Sequence, residues 1–447
     1  MRGLLVAFLI LGWVPVILFK PHIGVLVWDW VSHMIPHYYT FNFARTFPFL
    51  VAIFLVTAMG MVFSKDKVKL PKHPVVVVLI AYWIWVVFTT LVAMDEAPIG
   101  SSLTWDKLIL FSKVLVFALI AIAVMRSPNR LKAFVWVMAA SLGFIAIKGG
   151  LFVLMTGGGA RVQGAGGMME DNNQLAMAMA MLMPIAFYLV QYPPHKIMKW
   201  PLVGASILVP IAAIGTQSRG GAVAVAAVLF IMLMKTKYKF KLLLAVSIMG
   251  FAGWTFAPQE YKNRLASTES AATEDESFRG RISMWKYAVN LADDNPIEGG
   301  GFNVFYVRRA SELYMPPGFQ ARAPHSIYFE VVAEHGYVGL ILFLTLLFSG
   351  WYAGGTQAKR FRQYRETKWL GDLCATLQLS LVGFAAGGLT VNIATFDVFY
   401  HVLAIITMCH VVGERLLEGT VTEVVSSKVV DGSATEKKWS PSQPAEA

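Results

Sequence analysis

Long apolar runs separated by short polar loops set the pattern of this chain. Twelve stretches, near 3–19, 46–63, 73–93, 106–125, 133–155, 174–191, 200–217, 220–235, 242–257, 336–356, 371–391 and 396–413, approach the roughly 20 apolar residues a helix needs to cross a bilayer. A thirteenth, 22–36 (HIGVLVWDWVSHMIP), is short and carries Asp29 and His33. Its tryptophans suit an interfacial or re-entrant helix better than a span. The first fifteen residues read like a signal sequence but lack a small-x-small cleavage site, so they are expected to stay as the first span. The fold class predicted is an all-α polytopic membrane protein of about 12 transmembrane helices with one long outer loop.

Charge orients the pattern. SKDKVKLPK (64–72), RSPNRLK (126–132), PPHKIMK (193–199), KTKYKFK (235–241) and QAKRFRQYRETK (357–368) are basic and are placed in the cytoplasm. The alternate loops, 94–102, 156–173, 216–220 and 258–335, then face outward, toward the periplasm in a Gram-negative cell. Both chain ends come out cytoplasmic; counting 22–36 as a full span would move the N-terminal end outside. The expected organisation is helices 1–9 over 1–257, an outer loop with surface helices over 258–335, helices 10–12 over 336–413, and a disordered cytoplasmic tail over 414–447, whose polar composition cannot bury enough apolar surface to order itself.

Composition agrees. Of 447 residues, 56% are hydrophobic and only 15% charged, and the mean hydropathy is +0.58. The net charge of +11 sits largely in short loops as a topology signal, so it argues for membrane lipids rather than nucleic acid as the partner. Cys374 and Cys409 both fall inside spans, which indicates neither a disulfide framework nor a cysteine metal site.

The outer loop is too long for a connector. Within it GRISMWKYAVNLADD has apolar positions at Ile282, Trp285, Val289 and Ala292, the spacing of an amphipathic surface helix. DNPIEGGGF then makes a turn and a glycine run. Arg161, Arg219, Arg264, Arg279, Arg281, Arg308, Arg309 and Arg322 all fall on the outer side, against the orientation rule. Guanidinium groups bind phosphate through a fork that lysine cannot reproduce, so a polyanionic ligand is a natural reason to keep them. An interfacial arginine snorkelling to lipid phosphate is the plainer alternative. Arg219 lies in a tight turn (TQSRG), and Arg281 lies four residues before Trp285 on the same helical face.

Residues 322–339 read RAPHSIYFEVVAEHGYVG. Pro324 suits a first helical turn, and His325 beside it would feel the positive helix end, which favours a neutral imidazole able to accept a proton. A structural hydrogen bond is the competing role for such a histidine. Glu330 and Glu334 share a face turned away from His325, and His335 lies nearly three turns on. This is not HExxH and makes no single metal site.

These motifs together resemble the bacterial O-antigen ligase family. His325-Ser326, nine residues, then Gly336-x-x-Gly339 is similar to its His-[Asn/Ser/Gln]-x9-Gly-x-x-Gly signature. TQSRGG, Arg281-xxx-Trp285 followed by NPIEGGGF, and EDNNQLA (170–176) resemble further blocks of the family, and all lie within about 160–345. The superfamily also holds O-antigen polymerases and protein O-oligosaccharyltransferases, and the chain resembles a branch of exosortase-linked O-glycosylation ligases. The resemblance implies a GT-C-like membrane glycosyltransferase in the bacterial inner membrane. Its reaction would be metal-independent and inverting, with no cofactor, from undecaprenyl diphosphate-linked glycan to a sugar hydroxyl of lipid A–core on the periplasmic side. His325 would be the general base, and Arg219 and Arg281 would bind the diphosphate and stabilise the leaving group. Arg161, Asn172, Asn173, Arg279, Trp285 and Arg322 would line the substrate site, although Asn172 and Asn173 could equally cap the helix at 174, as Asp171 is expected to do. Asp29 is a rival base. A transporter of lipid-linked glycan is the alternative of another class. It is disfavoured because the spans carry few charges, Lys113 and Lys148 being the exceptions noted.

Overall fold

The computed structural model describes residues 2–64, 68–95, 102–236 and 276–430, with a few positions between 239 and 247. Sixteen helices are used below: α1 (Arg2–Leu11), α2 (Val14–Phe19), α3 (Pro21–Met34), α4 (Phe43–Thr46), α5 (Phe49–Phe63), α6 (Pro74–Leu91), α7 (Leu103–Val124), α8 (Pro128–Thr156), α9 (Asn172–Gln191), α10 (Lys199–Gly215), α11 (Arg219–Lys235), α12 (Glu276–Asp294), α13 (Arg308–Tyr314), α14 (Ile327–Phe361), α15 (Lys368–Gly387) and α16 (Asp397–Val430). No strand occurs among the described residues. Eight described helices are long and apolar enough to cross a membrane, counting 2–19 as one. Phe49–Phe63 and Arg219–Lys235 are apolar but shorter, at 15 and 17 residues, and the span expected at 242–257 lies outside the described residues. The helices present large apolar side chains outward, as a lipid-facing surface must: Phe8, Val62, Met155 and Ile341 are all exposed.

Contacts between helix ends sort the loops. Arg126 Nη1 donates to the Lys69 carbonyl and Arg415 Nη1 to the Arg126 carbonyl, so 64–72, 126–132 and Arg415 share one end, the basic end. Gly60, near the basic end of α5, packs against the backbone of Ile17 and Leu18, and Gly24 packs against Thr57. Gly3 packs against Phe41 and Ala44, at the opposite end. Segment 2–19 therefore runs toward the basic end, and α3 returns. The helix Pro21–Met34 is packed within the bundle, with Val25, Asp29, Val31 and His33 fully buried, and Gly3 and Arg415 stand at opposite ends of that bundle. Asp29 and His33 need not face lipid or water. Both are fully buried, and each finds its counter-charge inside the protein, the setting in which ionisable groups occur within membrane bundles. The last helix also runs further than expected, through Val430. In the sequence LLEGTVTEVVSSKVV, Gly419 is the residue least suited to a helix, and no proline interrupts it. Positions 431–447 lie outside the described residues.

The opposite end is built around a break in α14. Gly336 has φ 67 and ψ −175 inside the helix, a conformation that only glycine adopts cheaply. The break frees carbonyls, and the glycine loop 299–301 takes them: Gly300 N–H donates to Ala333 and Gly301 N–H to Glu334. Tyr337 N–H returns a bond to the Pro296 carbonyl at 2.8 Å. A side chain on Gly336 would strike the Ile297 carbonyl.

Beneath that loop lies a buried ion cluster. Lys107 Nζ, from the start of α7, is 2.7 Å from Glu330 Oε1 and 2.8 Å from Glu334 Oε1. Glu334 Oε1 also accepts from Asn303 N–H and Glu330 Oε2 from Ala394 N–H. One turn of α14 is thereby tied to α7, to the glycine loop and to the segment entering α16. His335 is buried beside it and meets Thr89 Oγ1 of α6 through Nδ1 at 2.7 Å.

α12 packs a small second core of Met284, Tyr287, Ala288, Leu291 and Ala292 against Val304, Phe305, Val332 and Ala333. The buried face is thus rotated from the predicted stripe. Val289 is exposed, and Ile282 and Trp285 sit at the margin.

Two measurements check these features. With Arg2→Cys and Glu418→Cys made separately, a membrane-impermeant maleimide applied to intact cells should label one variant only; labelling of both would restore the same-side arrangement. Lys107→Met should destabilise the detergent-solubilised protein by about 3–5 kcal/mol, because two carboxylates lose their buried partner. Adding Glu330→Gln and Glu334→Gln should recover much of that loss, read by thermal unfolding.

Candidate functional site

His325 precedes α14. Ser326 is the N-cap and Ile327 the first helical residue, so the histidine stands two positions earlier than the first turn expected for it. Its φ is 50, the left-handed region. A non-glycine residue there costs of order 1–3 kcal/mol and persists only where its surroundings hold it. Several groups do. Trp285 Nε1 donates to the Pro324 carbonyl at 2.9 Å, and its ring stacks on Phe329 at 4.8 Å. Ile327 N–H donates to the Gly388 carbonyl, and Arg322 N–H lies against Met284 Sδ. Trp285 therefore acts on the histidine through the backbone of its neighbour.

His325 opens on a cleft of about 410 Å³ lined also by Gly280, Arg281, Met284, Phe319 and Arg322. The imidazole is half-buried. That burial, and next the nearby Arg281, hold its pKa below the ordinary histidine value; Asp171 opposes this and Arg322 adds to it. A histidine so placed is neutral near pH 7 and able to take a proton, with guanidinium charge within reach of the same space.

Arg219 is the first residue of α11. Gln217 before it also has a left-handed φ of 55, and Ser218 Oγ caps the helix by accepting from Gly221 N–H. Ser218 Oγ in turn donates to Asn173 Oδ1 at 2.7 Å, and Asn172 Nδ2 donates to the Thr216 carbonyl at 3.1 Å. Asp171 caps α9 through Asn173 and Gln174 N–H. The asparagines thus join two helix starts, and these positive ends face the same end of the bundle as His325. Gly220 packs on Thr390, and Gly388 binds Ile327, so the Arg219 turn and the His325 helix flank one segment, 388–391.

Arg281, Arg322 and His325 share the cleft. Arg219, exposed beyond Thr390, does not line it, and neither do Arg161 or Arg279, both exposed. Arg308 pairs with Glu312 on the surface. Arg264 lies outside the described residues. Asp29 is not at this surface. It is fully buried with His33 and His401 and is not among the residues that line the His325 cleft. Sequence reasoning passed over Lys107. The available signal was a lysine at the outer end of a span together with two glutamates one turn apart, on one face, with no other counter-charge. Phe302, Asn303 and Thr104 were missed too. Asn303 Nδ2 donates to the Leu103 carbonyl and Thr104 Oγ1 to the Phe302 carbonyl, contacts across 200 residues that no local pattern announces.

Comparison with known proteins divides the chain. The O-antigen ligase family model matches residues 204–344, which hold Arg219, Arg281, Trp285 and His325. A family of unknown function (DUF5935) matches residues 1–193, which hold Asp29, Lys107 and Asn173. No curated protein matches the chain. With its apolar helices, the chain is a multi-pass membrane protein that carries, over residues 204–344, a domain matched to the O-antigen ligase family.

Proposed function

We propose that this protein transfers a glycan from undecaprenyl diphosphate to a sugar hydroxyl of lipid A–core on the periplasmic face of the bacterial inner membrane, with inversion at the anomeric carbon. The observation that carries the reading is the shared cleft of His325 and Arg281, inside the region matched to the ligase family. His325 takes the hydroxyl proton of the acceptor. The acceptor oxygen bonds to the anomeric carbon as the bond from that carbon to the diphosphate oxygen breaks, and the diphosphate leaves with its extra negative charge. Arg281 stabilises that charge, and Arg219 and the first N–H groups of α11 receive the far side of the diphosphate. Arg322 lies at the rim, where a headgroup enters. Trp285 is a positioning residue. Helix ends and guanidinium groups supply the counter-charge, so the step calls for no divalent cation at the diphosphate.

The test is reconstitution of purified protein with undecaprenyl diphosphate-linked glycan and, in separate arms, lipid A–core, a growing glycan chain and a serine/threonine peptide. No Mg²⁺ or Mn²⁺ is added. His325→Ala should insert normally and lose roughly 10²–10⁴-fold in kcat. Arg281→Ala should lose about 10²–10³-fold, and Arg281→Lys should recover little because the fork is gone. Full activity in His325→Ala would end the base assignment. Transfer only to glycan or peptide would move the acceptor elsewhere in the superfamily. Movement of lipid-linked glycan across the bilayer without transfer would replace the enzyme by a transporter.

The pH profile is a second check. Because His325 is held below the ordinary histidine value of about 6.5, kcat/KM should fall on acidification only below about pH 6.5 and stay level above it. Arg281→Ala should move that acid limb to higher pH, since it removes a cation that disfavours imidazolium. A limb unmoved by this change would separate the titrating group from Arg281.

A further inference from the structure

Residues that the transfer leaves unused meet deep in the bundle. Asp29 and His33 lie one turn apart on α3, and His401 lies near the start of α16; all three are fully buried. Asp29 Oδ1 is 3.2 Å from His33 Nδ1 and 3.2 Å from His401 Nδ1. The two imidazoles cross at 83° with centroids 4.9 Å apart. Atoms at such distances would be expected to hydrogen-bond. Yet neither oxygen of Asp29 and neither nitrogen of His401 is aligned in a hydrogen bond. His33 Nδ1 also faces the Asp29 carbonyl at 3.1 Å. Buried polar atoms left unsatisfied are costly and call for a partner. One ligand atom from each of Asp29, His33 and His401 lies within 4.8 Å of the others, close enough to share one ion.

The spacing says what fits that point. Tetrahedral coordination at about 2.0–2.1 Å sets ligand atoms about 3.3 Å apart. Two imidazoles and one carboxylate are a zinc-type donor set. Behind His33, Asp397 Oδ2 stands 3.6 Å from Nε2, and it is itself fixed by Ser32 Oγ at 3.1 Å. His33 Nε2 makes no hydrogen bond at that distance, and a small approach would let Asp397 orient a ligating histidine and select its tautomer. With the Nε2 proton directed to Asp397, the Nδ1 lone pair is free to leave the Asp29 carbonyl and bind a metal. Trp28 and Phe117, stacked at 3.7 Å, and Phe134 wall the site.

We propose that Asp29, His33 and His401 bind a divalent first-row transition metal, Zn²⁺ in preference, as an internal staple joining α3 to α16, with Asp397 as its outer carboxylate. The site is separate from the His325 cleft and takes no part in transfer. It joins the segment of unknown family function to a helix beyond both matched regions.

The test is metal analysis of the full-length protein purified with a tag free of histidine. About one zinc per chain is expected, with X-ray absorption showing nitrogen and oxygen neighbours at about 2.0–2.1 Å. Asp29→Asn and His401→Gln should elute as the wild type on gel filtration but hold little metal. Asp397→Asn should keep the site and weaken Zn²⁺ binding roughly 10–100-fold. If the variants fail to fold, the wild-type metal content and absorption spectrum decide alone. Wild-type protein that carries no transition metal, and whose Tm does not move on adding Zn²⁺, would overturn the proposal and leave a buried ion pair only.

Discussion

One lysine meeting two glutamates inside the bundle sets the geometry on which the rest of the structure depends. Taking Lys107, Glu330 and Glu334 out of water is expensive, and only close pairing with every remaining lone pair engaged offsets it. Here each of the four carboxylate oxygens has a partner. Both carboxylates contact Lys107, one also binds Asn303 N–H and the other Ala394 N–H. The gain is specificity of position. A single helical turn is held against α7, the glycine loop and the 394 segment together. His325 lies one turn before Glu330, so its place depends on this anchor although no atom of the cluster reaches the cleft.

The break at Gly336 follows from the same constraint. The turn bearing Glu330 and Glu334 must meet Lys107, while the rest of α14 must pack along the bundle against α15 and α16. An unbroken helix fixes the relation between the two; a left-handed glycine releases it. The released carbonyls cannot stay bare at this depth. Gly300 and Gly301 bring backbone N–H groups to them, and Gly299 meets Gly336 at a distance that leaves no room for a side chain. The NPIEGGGF block is therefore a plug for the broken helix. It holds no atom of the cleft, whose walls come from α12 and from 318–325.

The sequence was most informative where physics is local. Apolar runs located the helices, basic loops sorted most of the ends, and Asp171 was legible as a helix start. His325 and Arg281 were reachable by residue type and context. The rest depends on pairing at a distance. Length and two ionisable residues made 22–36 look like an interfacial helix, because nothing nearby in sequence names His401 as the partner of Asp29. The stripe on α12 was misread for a related reason. Its buried face is set by Val304, Phe305 and Val332, and Trp285 is drawn to the margin to bind Pro324. Arg219 stood out by its tight turn, but a turn does not say which cleft its side chain will face.

The two matched regions meet at this site. The ligase-family region supplies His325, Arg281 and the Arg219 turn, and the N-terminal region supplies Lys107, the Asp171 cap and the Asn173 contact to Ser218. Neither region can hold the arrangement alone. Without Asn173 the Ser218 turn loses a partner, and without Lys107 the turn after His325 carries two uncompensated buried charges. The long, mostly apolar N-terminal half is thus more than a membrane anchor for the cleft of His325. Its helices supply the counter-charge and the capping partners that let a polar site form at the end of an apolar bundle, where lipid would supply neither.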